Sequence, residues 1–361
     1  MKNVIKKTVL ESQPYIPGKP IQEVKRELGL KDVIKVASNE NPYPPSPQVI
    51  AAMRKESKNV NRYPDSSCFY LREQLAKQLK VKPTQLVFGN GSDEIIVLAV
   101  RAFIKPGDEI VIAKPTFLIY NIASCMEGGV VKEVPIKDFQ YDLKGMLAQI
   151  TSKTRIIFIG NPDNPCGAYI PQKKLENFVS KVPDDVLIFL DEAYFEYVQA
   201  KDYGSSIDMV SRYKNVLVAR TFSKIYGLAG LRIGYAIGDE ELIDWLNRLR
   251  EPFNVNSMAQ AAALACLKDK IYYKNITKEI ERQRQFLYKS FKSLELKFVK
   301  TFTNFILIFV PGDSTDVCQK LLQKGVIVRD MRGWGLKNYI RISIGTAQEN
   351  KKVVQTLKEI L

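Results

Sequence analysis

The chain of 361 residues contains no histidine. That absence removes every imidazole base, every histidine-containing triad and every histidine-ligated metal from consideration. Cysteine is scarce and scattered: Cys68, Cys125, Cys166, Cys266 and Cys318 form no CxxC pair. A zinc site is therefore not expected, and an odd, dispersed set fits a reducing compartment better than a disulfide framework. No run approaches the roughly 18 apolar residues that span a bilayer. The basic opening MKNVIKKTVL leads into no apolar stretch of the export-signal kind. The phosphate loop GxxxxGK[ST] is missing as well, which removes the P-loop NTPases. Internal repeats and low-complexity segments are absent. The expectation is a soluble, cytoplasmic protein with no membrane attachment and no metal.

Acidic residues are in the minority, with 39 Asp+Glu against 54 Lys+Arg and a net charge of +15. Such a balance suits nucleic acid, an acidic surface or an anionic small substrate. The lysines are spread along the whole chain rather than gathered in blocks. This distribution argues against a nucleic-acid tail and fits a solvated surface around a site for anions. At 45% hydrophobic residues, the chain has ample material for a sizeable core.

After a Pro/Gly arm, ESQPYIPGKP, and a short helical stretch, IQEVKRELGL, short β-branched runs alternate with helical patterns. The expected strands are QLVFG (85–89), EIVIA (109–113), VVKEV (130–134), RIIFIG (155–160), VLIFLD (186–191), NVLVA (215–219) and LRIGYAIG (231–238). Strands that alternate with helices imply a mainly parallel sheet covered on both faces. Beyond residue 250 come two long helical patterns, the strand NFILIFV, a helix, the strands GVIVRD and YIRISIG, and a closing helix. The fold class expected is α/β: a large domain over residues 36–248 with a mainly parallel central sheet flanked by helices, and a smaller α+β domain built from residues 249–361 with the N-terminal arm, 1–35.

Four segments could carry chemistry. In VLIFLDEAY a buried strand runs into Asp191, placing an acid where α/β sheets bind ligands, although such an acid also caps helices. In VFGNGSDEII, Gly91, Ser92 and Asp93 open a helix whose free N–H groups suit an anion, or form an ordinary N-cap. In IFIGNPDNPCG two Asn-Pro pairs make a tight turn that aims Asn164 at the sheet edge, or merely punctuate the chain. In RTFSKIYGLAGLRIGY, Lys224 lies among Thr221, Ser223 and Arg232, which can be a nucleophilic amine beside an anion site or a surface lysine. Taken together, they offer an amine for an aldehyde, an acid for a ring cation, Asn164 and Tyr194 for a ring oxygen, and several donors for a phosphate. That ligand is pyridoxal 5′-phosphate.

The ordered set SNENPYPPSP, RYPD, GNGSDEII, NPDNPCG, LDEAYFEY, RTFSKIYGLAGLRIGY and YIRISIGT resembles the fold-type-I aminotransferases over nearly the whole chain, and within them the histidinol-phosphate aminotransferase family. The resemblance implies a large PLP-binding domain and a catalytic set of Lys224, Asp191 and Tyr194. Lys224 would bond the cofactor aldehyde and carry the proton, and Asp191 would pair with the ring nitrogen. Asn164 and Tyr194 would hold the ring oxygen, and Phe117 would stack on the ring. Ser92, Asp93, Ser223 and Arg232, with Thr221 nearby, would hold the phosphate. Tyr63 would reach the cofactor phosphate of a neighbouring subunit, implying a homodimer with shared active sites. Arg341 and Arg329 would bind substrate anions, and Tyr15 and Asn39 would line the substrate mouth. The implied activity is transamination of L-histidinol phosphate with 2-oxoglutarate, giving imidazole acetol phosphate and L-glutamate in histidine biosynthesis. An aromatic or broad-range aminotransferase and a threonine-phosphate decarboxylase share these motifs. A nucleic-acid-binding protein on a vestigial fold of this type has only the charge in its favour.

Overall fold

The computed structural model describes residues 4–11 and 16–361. Its centre is a seven-stranded sheet made of β2 (Leu86–Gly89), β3 (Glu109–Lys114), β4 (Val130–Pro135), β5 (Thr154–Gly160), β6 (Leu187–Asp191), β7 (Val216–Thr221) and β8 (Gly234–Ile237). It follows β1 (Ile34–Lys35), which belongs to a different sheet. The strand order is β2-β8-β7-β6-β5-β3-β4. All pairings are parallel except those of β8, which runs antiparallel to both β2 and β7.

The strands read as continuous apolar runs because both faces are covered. Val111, Ile157, Ile159, Ile188, Leu190, Val216 and Val218 face one core, and Ile110, Ile112, Ile156, Phe158, Phe189 and Leu217 face the other. The two-residue period that divides them also separates the acids at the end of β6. Asp191 stays at the sheet edge. Glu192 turns to the opposite side, fully buried, and accepts two hydrogen bonds from the Arg220 guanidinium at 2.9 and 2.7 Å. Ser206 N donates to its other oxygen at 2.8 Å. The Arg220 guanidinium also stacks over the Phe195 ring, 3.8 Å from its centroid.

The expected strand LRIGYAIG begins late. Residues Ala229–Leu231 form a 3-10 turn, Arg232 takes a left-handed conformation (φ 55), and the ladder opens at Gly234. The expected strand GVIVRD splits. β10 (Val326–Ile327) pairs in parallel with β1, and β11 (Arg329–Asp330) pairs with β12 (Tyr339–Ser343), which also pairs with β9 (Phe305–Phe309). The N-terminal arm is thereby tied to the C-terminal part. A 12-residue helix, Ser257–Lys268, packs on the helices Pro47–Glu56 and Phe69–Leu79. No helix among the described residues is long and apolar enough to cross a membrane, and none of their acidic or cysteine side chains cluster in a metal-holding group.

Removing one member of a buried, hydrogen-bonded ion pair strands the other charge, which costs about 3–5 kcal/mol. Arg220→Ala should lower stability by that order in urea unfolding. An exposed pair such as Arg248 with Asp244, 71% and 57% accessible, should change little on the same substitution.

Candidate active site

Parallel strands all end at one edge of a sheet, and an antiparallel strand begins there. The register puts Gly160 opposite Asp191, Asp191 opposite Ala219, and Thr221 opposite Gly234. The ends of β5, β6 and β7 and the start of β8 thus converge, and the loops leaving them surround a cavity of about 370 Å³. Its lining includes Asn39, Ser92, Asp93, Phe117, Asn164, Asp191, Tyr194, Thr221, Ser223, Lys224, Arg232, Arg329 and Arg341. A larger cavity of about 1060 Å³ lies beside it and shares Phe117, Arg329 and Trp334, but it contains neither Asp191 nor Lys224. The expected catalytic pair, Asp191 and Lys224, therefore lines the smaller one.

Asp191 is 6% exposed. Burial pushes its carboxyl up to about 6, against the opposing effect of hydrogen bonds from the Tyr120 hydroxyl at 2.8 Å and the Ala193 amide at 3.0 Å. Asp93 adds a weaker push upward, and Lys224 a pull downward. A carboxylate in that state gains from any cation placed against it. Tyr120 is itself fixed, its ring stacked on Phe158 at 4.7 Å and edge-on to Phe117 at 5.5 Å.

Two glycines build the anion cradle. The helix Ser92–Phe103 starts at this edge, with its first amides and the positive end of its dipole directed outward. Gly91 (φ 83) takes a conformation that side-chain-bearing residues rarely adopt, and a Cβ there would displace the end of the Arg232 side chain, 2.5 Å away. A Cβ on Gly234 would lie 2.5 Å from the Ser92 amide nitrogen. The close approach brings the Arg232 guanidinium to the helix start, where it donates to Asp93 at 3.0 Å and to the Ser223 hydroxyl at 3.5 Å. The Asp93 carboxylate is thus occupied by Arg232, which leaves the backbone amide as its contribution to an anion. Thr221 accepts from the Ser223 amide at 3.0 Å and shapes the turn.

The Lys224 amine lies 5.5 Å from the centre of the Tyr194 ring. Tyr194 is buried, and its oxygen accepts from the amides of Asn39 at 2.9 Å and Asn164 at 3.5 Å. Its own proton remains for an acceptor in the cavity. Asn164 is oriented from behind, its carbonyl oxygen taking a hydrogen bond from Arg341. Arg341 is 5% exposed and also donates to the Ala37 carbonyl at 3.3 Å.

Of the expected site residues, Tyr15 lies outside the described residues. Tyr63 is 83% exposed, stacks on Phe253 at 4.7 Å, and does not line the cavity of its own chain. Asn39 lines the cavity, but from a buried position, in a left-handed conformation (φ 55) and bonded to Tyr194 rather than at an open mouth. Sequence reasoning missed Tyr120, although a buried tyrosine one helical turn beyond Phe117 needs a partner for its hydroxyl. It also missed Asp163, buried inside NPDNPCG, which accepts from Tyr141 at 2.8 Å, Thr116 at 3.0 Å and the Cys166 amide at 3.1 Å. Those bonds lock the turn that presents Asn164.

Comparison with known proteins shows the family. A histidinol-phosphate aminotransferase of Moorella thermoacetica is 48% identical over 357 residues, covering 99% of this chain and 92% of that protein. One from Caldicellulosiruptor saccharolyticus is 45% identical over 348 residues, covering 96% and 97%. The crystal structure of the Sinorhizobium meliloti histidinol-phosphate aminotransferase, in complex with pyridoxal-5′-phosphate, superposes with a TM-score of 0.91 at 27% identity, covering 99% of this chain and 98% of that one. The aminotransferase class I and II family model matches residues 31–357, and the chain belongs to that family.

Proposed function

We propose that this protein is a pyridoxal-phosphate-dependent aminotransferase that converts L-histidinol phosphate and 2-oxoglutarate to imidazole acetol phosphate and L-glutamate. The observation that carries the reading is a single cavity with an amine at Lys224, a buried carboxylate at Asp191, and an anion cradle at Ser92, Ser223 and Arg232. This donor set fits pyridoxal 5′-phosphate. Identities of 48% and 45% over 99% and 96% of this chain with histidinol-phosphate aminotransferases support the substrate.

When bound, the cofactor supplies an aldehyde that takes up the substrate amine and a ring that accepts electrons from the Cα–H bond. Asp191 would hold the proton on the ring nitrogen, with Tyr120 and the Ala193 amide keeping its carboxylate in place. Tyr194 and Asn164 would bond the ring oxygen, and Phe117 would cover the ring face. Lys224 Nζ would take the Cα proton and deliver it to the former aldehyde carbon. Arg341 and Arg329 would receive the substrate's anionic groups, a task guanidinium performs for carboxylate and phosphate alike. We place the cofactor domain at residues 36–248, with the arm and residues 249–361 forming the smaller domain. An exposed aromatic surface of Tyr63, Phe69 and Tyr70 supports a homodimer in which Tyr63 completes the partner's phosphate site. The free cysteines support a cytoplasmic location.

Lys224→Ala should abolish the visible absorbance that borohydride bleaches in the loaded protein; retention of a reducible chromophore would remove Lys224 from this role. A second expectation concerns pH. A carboxyl that binds its proton more tightly when folded makes the fold lose stability as pH rises from its ordinary value to its raised one. Relative to Asp191→Asn, the cofactor-free protein should lose stability between 3.8 and about 6, and the loss should vanish once the cofactor is bound. Urea unfolding across that range measures it, and parallel curves for the two cofactor-free proteins would contradict it. Substrate choice is tested by single-turnover spectra with histidinol phosphate, tyrosine, phenylalanine and threonine phosphate. Histidinol phosphate should convert the cofactor fastest. Equal or faster conversion by the aromatic amino acids would overturn the substrate and leave the transaminase chemistry intact.

A further inference from the structure

Arg329 and Arg341 are direct partners in the antiparallel β11–β12 ladder. Residues so paired have Cα atoms about 4.5–5.5 Å apart and side chains on the same face. Their like charges repel. Each has contacts of its own, Arg329 donating to the Ile16 carbonyl at 2.9 Å and Arg341 lying 5.1 Å from the Phe305 ring, and the Trp334 indole is near both. The Arg329 guanidinium carbon lies 5.0 Å from the Trp334 ring and that of Arg341 lies 5.6 Å from it. Both distances are within the range where the negative face of an aromatic ring attracts a cation.

Trp334 is fixed in place. It ends the 3-10 turn Arg332–Trp334, donates its amide to the Met331 carbonyl at 3.0 Å, and is followed by Gly335 in the left-handed conformation. Its ring is 6% exposed and packs with Leu307 and Met331. The neighbouring charges are turned elsewhere. Asp330, on the other face of β11, accepts from Ser314 at 2.7 Å and Thr315 at 2.6 Å, and Arg332 pairs with Asp313. Trp334, Arg329 and Arg341 all line the cavity that holds Lys224 and Asp191.

We infer that Trp334 is a specificity-determining positioning residue, holding Arg329 and Arg341 as one receptor for a dianionic phosphate ester. The inference rests on the phosphorylated substrate proposed above. A carboxylate is satisfied by one guanidinium in a bidentate pair. A phosphate ester carries nearly two charges and three acceptor oxygens, so it gains from two guanidiniums held together. The other contacts hold each arginine separately; the ring is a contact common to both, and its loss removes that shared anchor while their mutual repulsion remains.

The test compares the loaded wild-type enzyme with Trp334→Leu and Trp334→Phe. Single-turnover rates across substrate concentration are measured for histidinol phosphate and for phenylalanine, whose only anion is a carboxylate. Trp334→Leu should weaken apparent binding of histidinol phosphate by about tenfold, the scale of a cation–π contact shielded from water, with a much smaller effect on phenylalanine. Trp334→Phe, which keeps an aromatic face, should retain most of the preference. The chain has only one other tryptophan, Trp245. Inorganic phosphate should therefore perturb the intrinsic fluorescence of the wild type and leave that of Trp334→Phe unchanged. Equal losses for the two substrates, or a phosphate response that survives in Trp334→Phe, would overturn the inference. If the wild type itself shows no preference for the phosphorylated substrate, the substrate reading fails, and the assignment of Trp334 fails with it.

Discussion

The structure depends on a carboxylate kept out of water. Asp191 ends a strand buried on both faces, is reached by two hydrogen-bond donors, and carries its charge at a cost that burial sets. Such a group is poorly placed by itself and well placed beside a ring cation. The same cavity gathers an amine on the loop after β7, the Tyr194 hydroxyl and Asn164 amide, and a helix start, the set that the proposed cofactor would use. The neighbouring acid, Glu192, shows the alternative outcome. One residue further along the pleat, it meets a permanent partner in Arg220 and serves the fold.

The direction of one strand decides where the anion cradle forms. Because β8 alone runs against its neighbours, its first residues lie where theirs end, and Arg232 is delivered to the start of the helix Ser92–Phe103. Glycine at 234 lets the two backbones touch, and glycine at 91 leaves space for the Arg232 guanidinium. The same edge receives the smaller domain through Arg341, which orients Asn164 from behind. The arginine proposed to face the substrate and the amide proposed to face the cofactor are thus joined by a hydrogen bond, so the geometry at one affects the other.

Much of this was legible in the residues. The β-branched runs identified the sheet, because strands covered on both faces must be apolar throughout. The polar residues that interrupt them, Asp191, Asn164 and Lys224, stood out against that background. The start of β8 was misread because Ile233 continues the apolar pattern while Arg232 adopts a turn conformation that hydrophobicity does not encode. GVIVRD read as one strand because its two halves are both apolar enough, although they pair with different partners. Tyr120 and Asp163 were missed for a common reason. Each acts through a neighbour distant in sequence, Asp191 and Tyr141 respectively, and spacing along the chain carries no trace of such contacts.

On the proposed reading, Asp191 keeps the cofactor's ring nitrogen protonated. The most direct measurement is the nitrogen-15 chemical shift of ring-labelled pyridoxal phosphate in the wild type and in Asp191→Ala at mildly alkaline pH. The ring nitrogen should be protonated in the wild type and unprotonated in the variant. An unprotonated nitrogen in the wild type, or a protonated one that persists without the carboxylate, would contradict it.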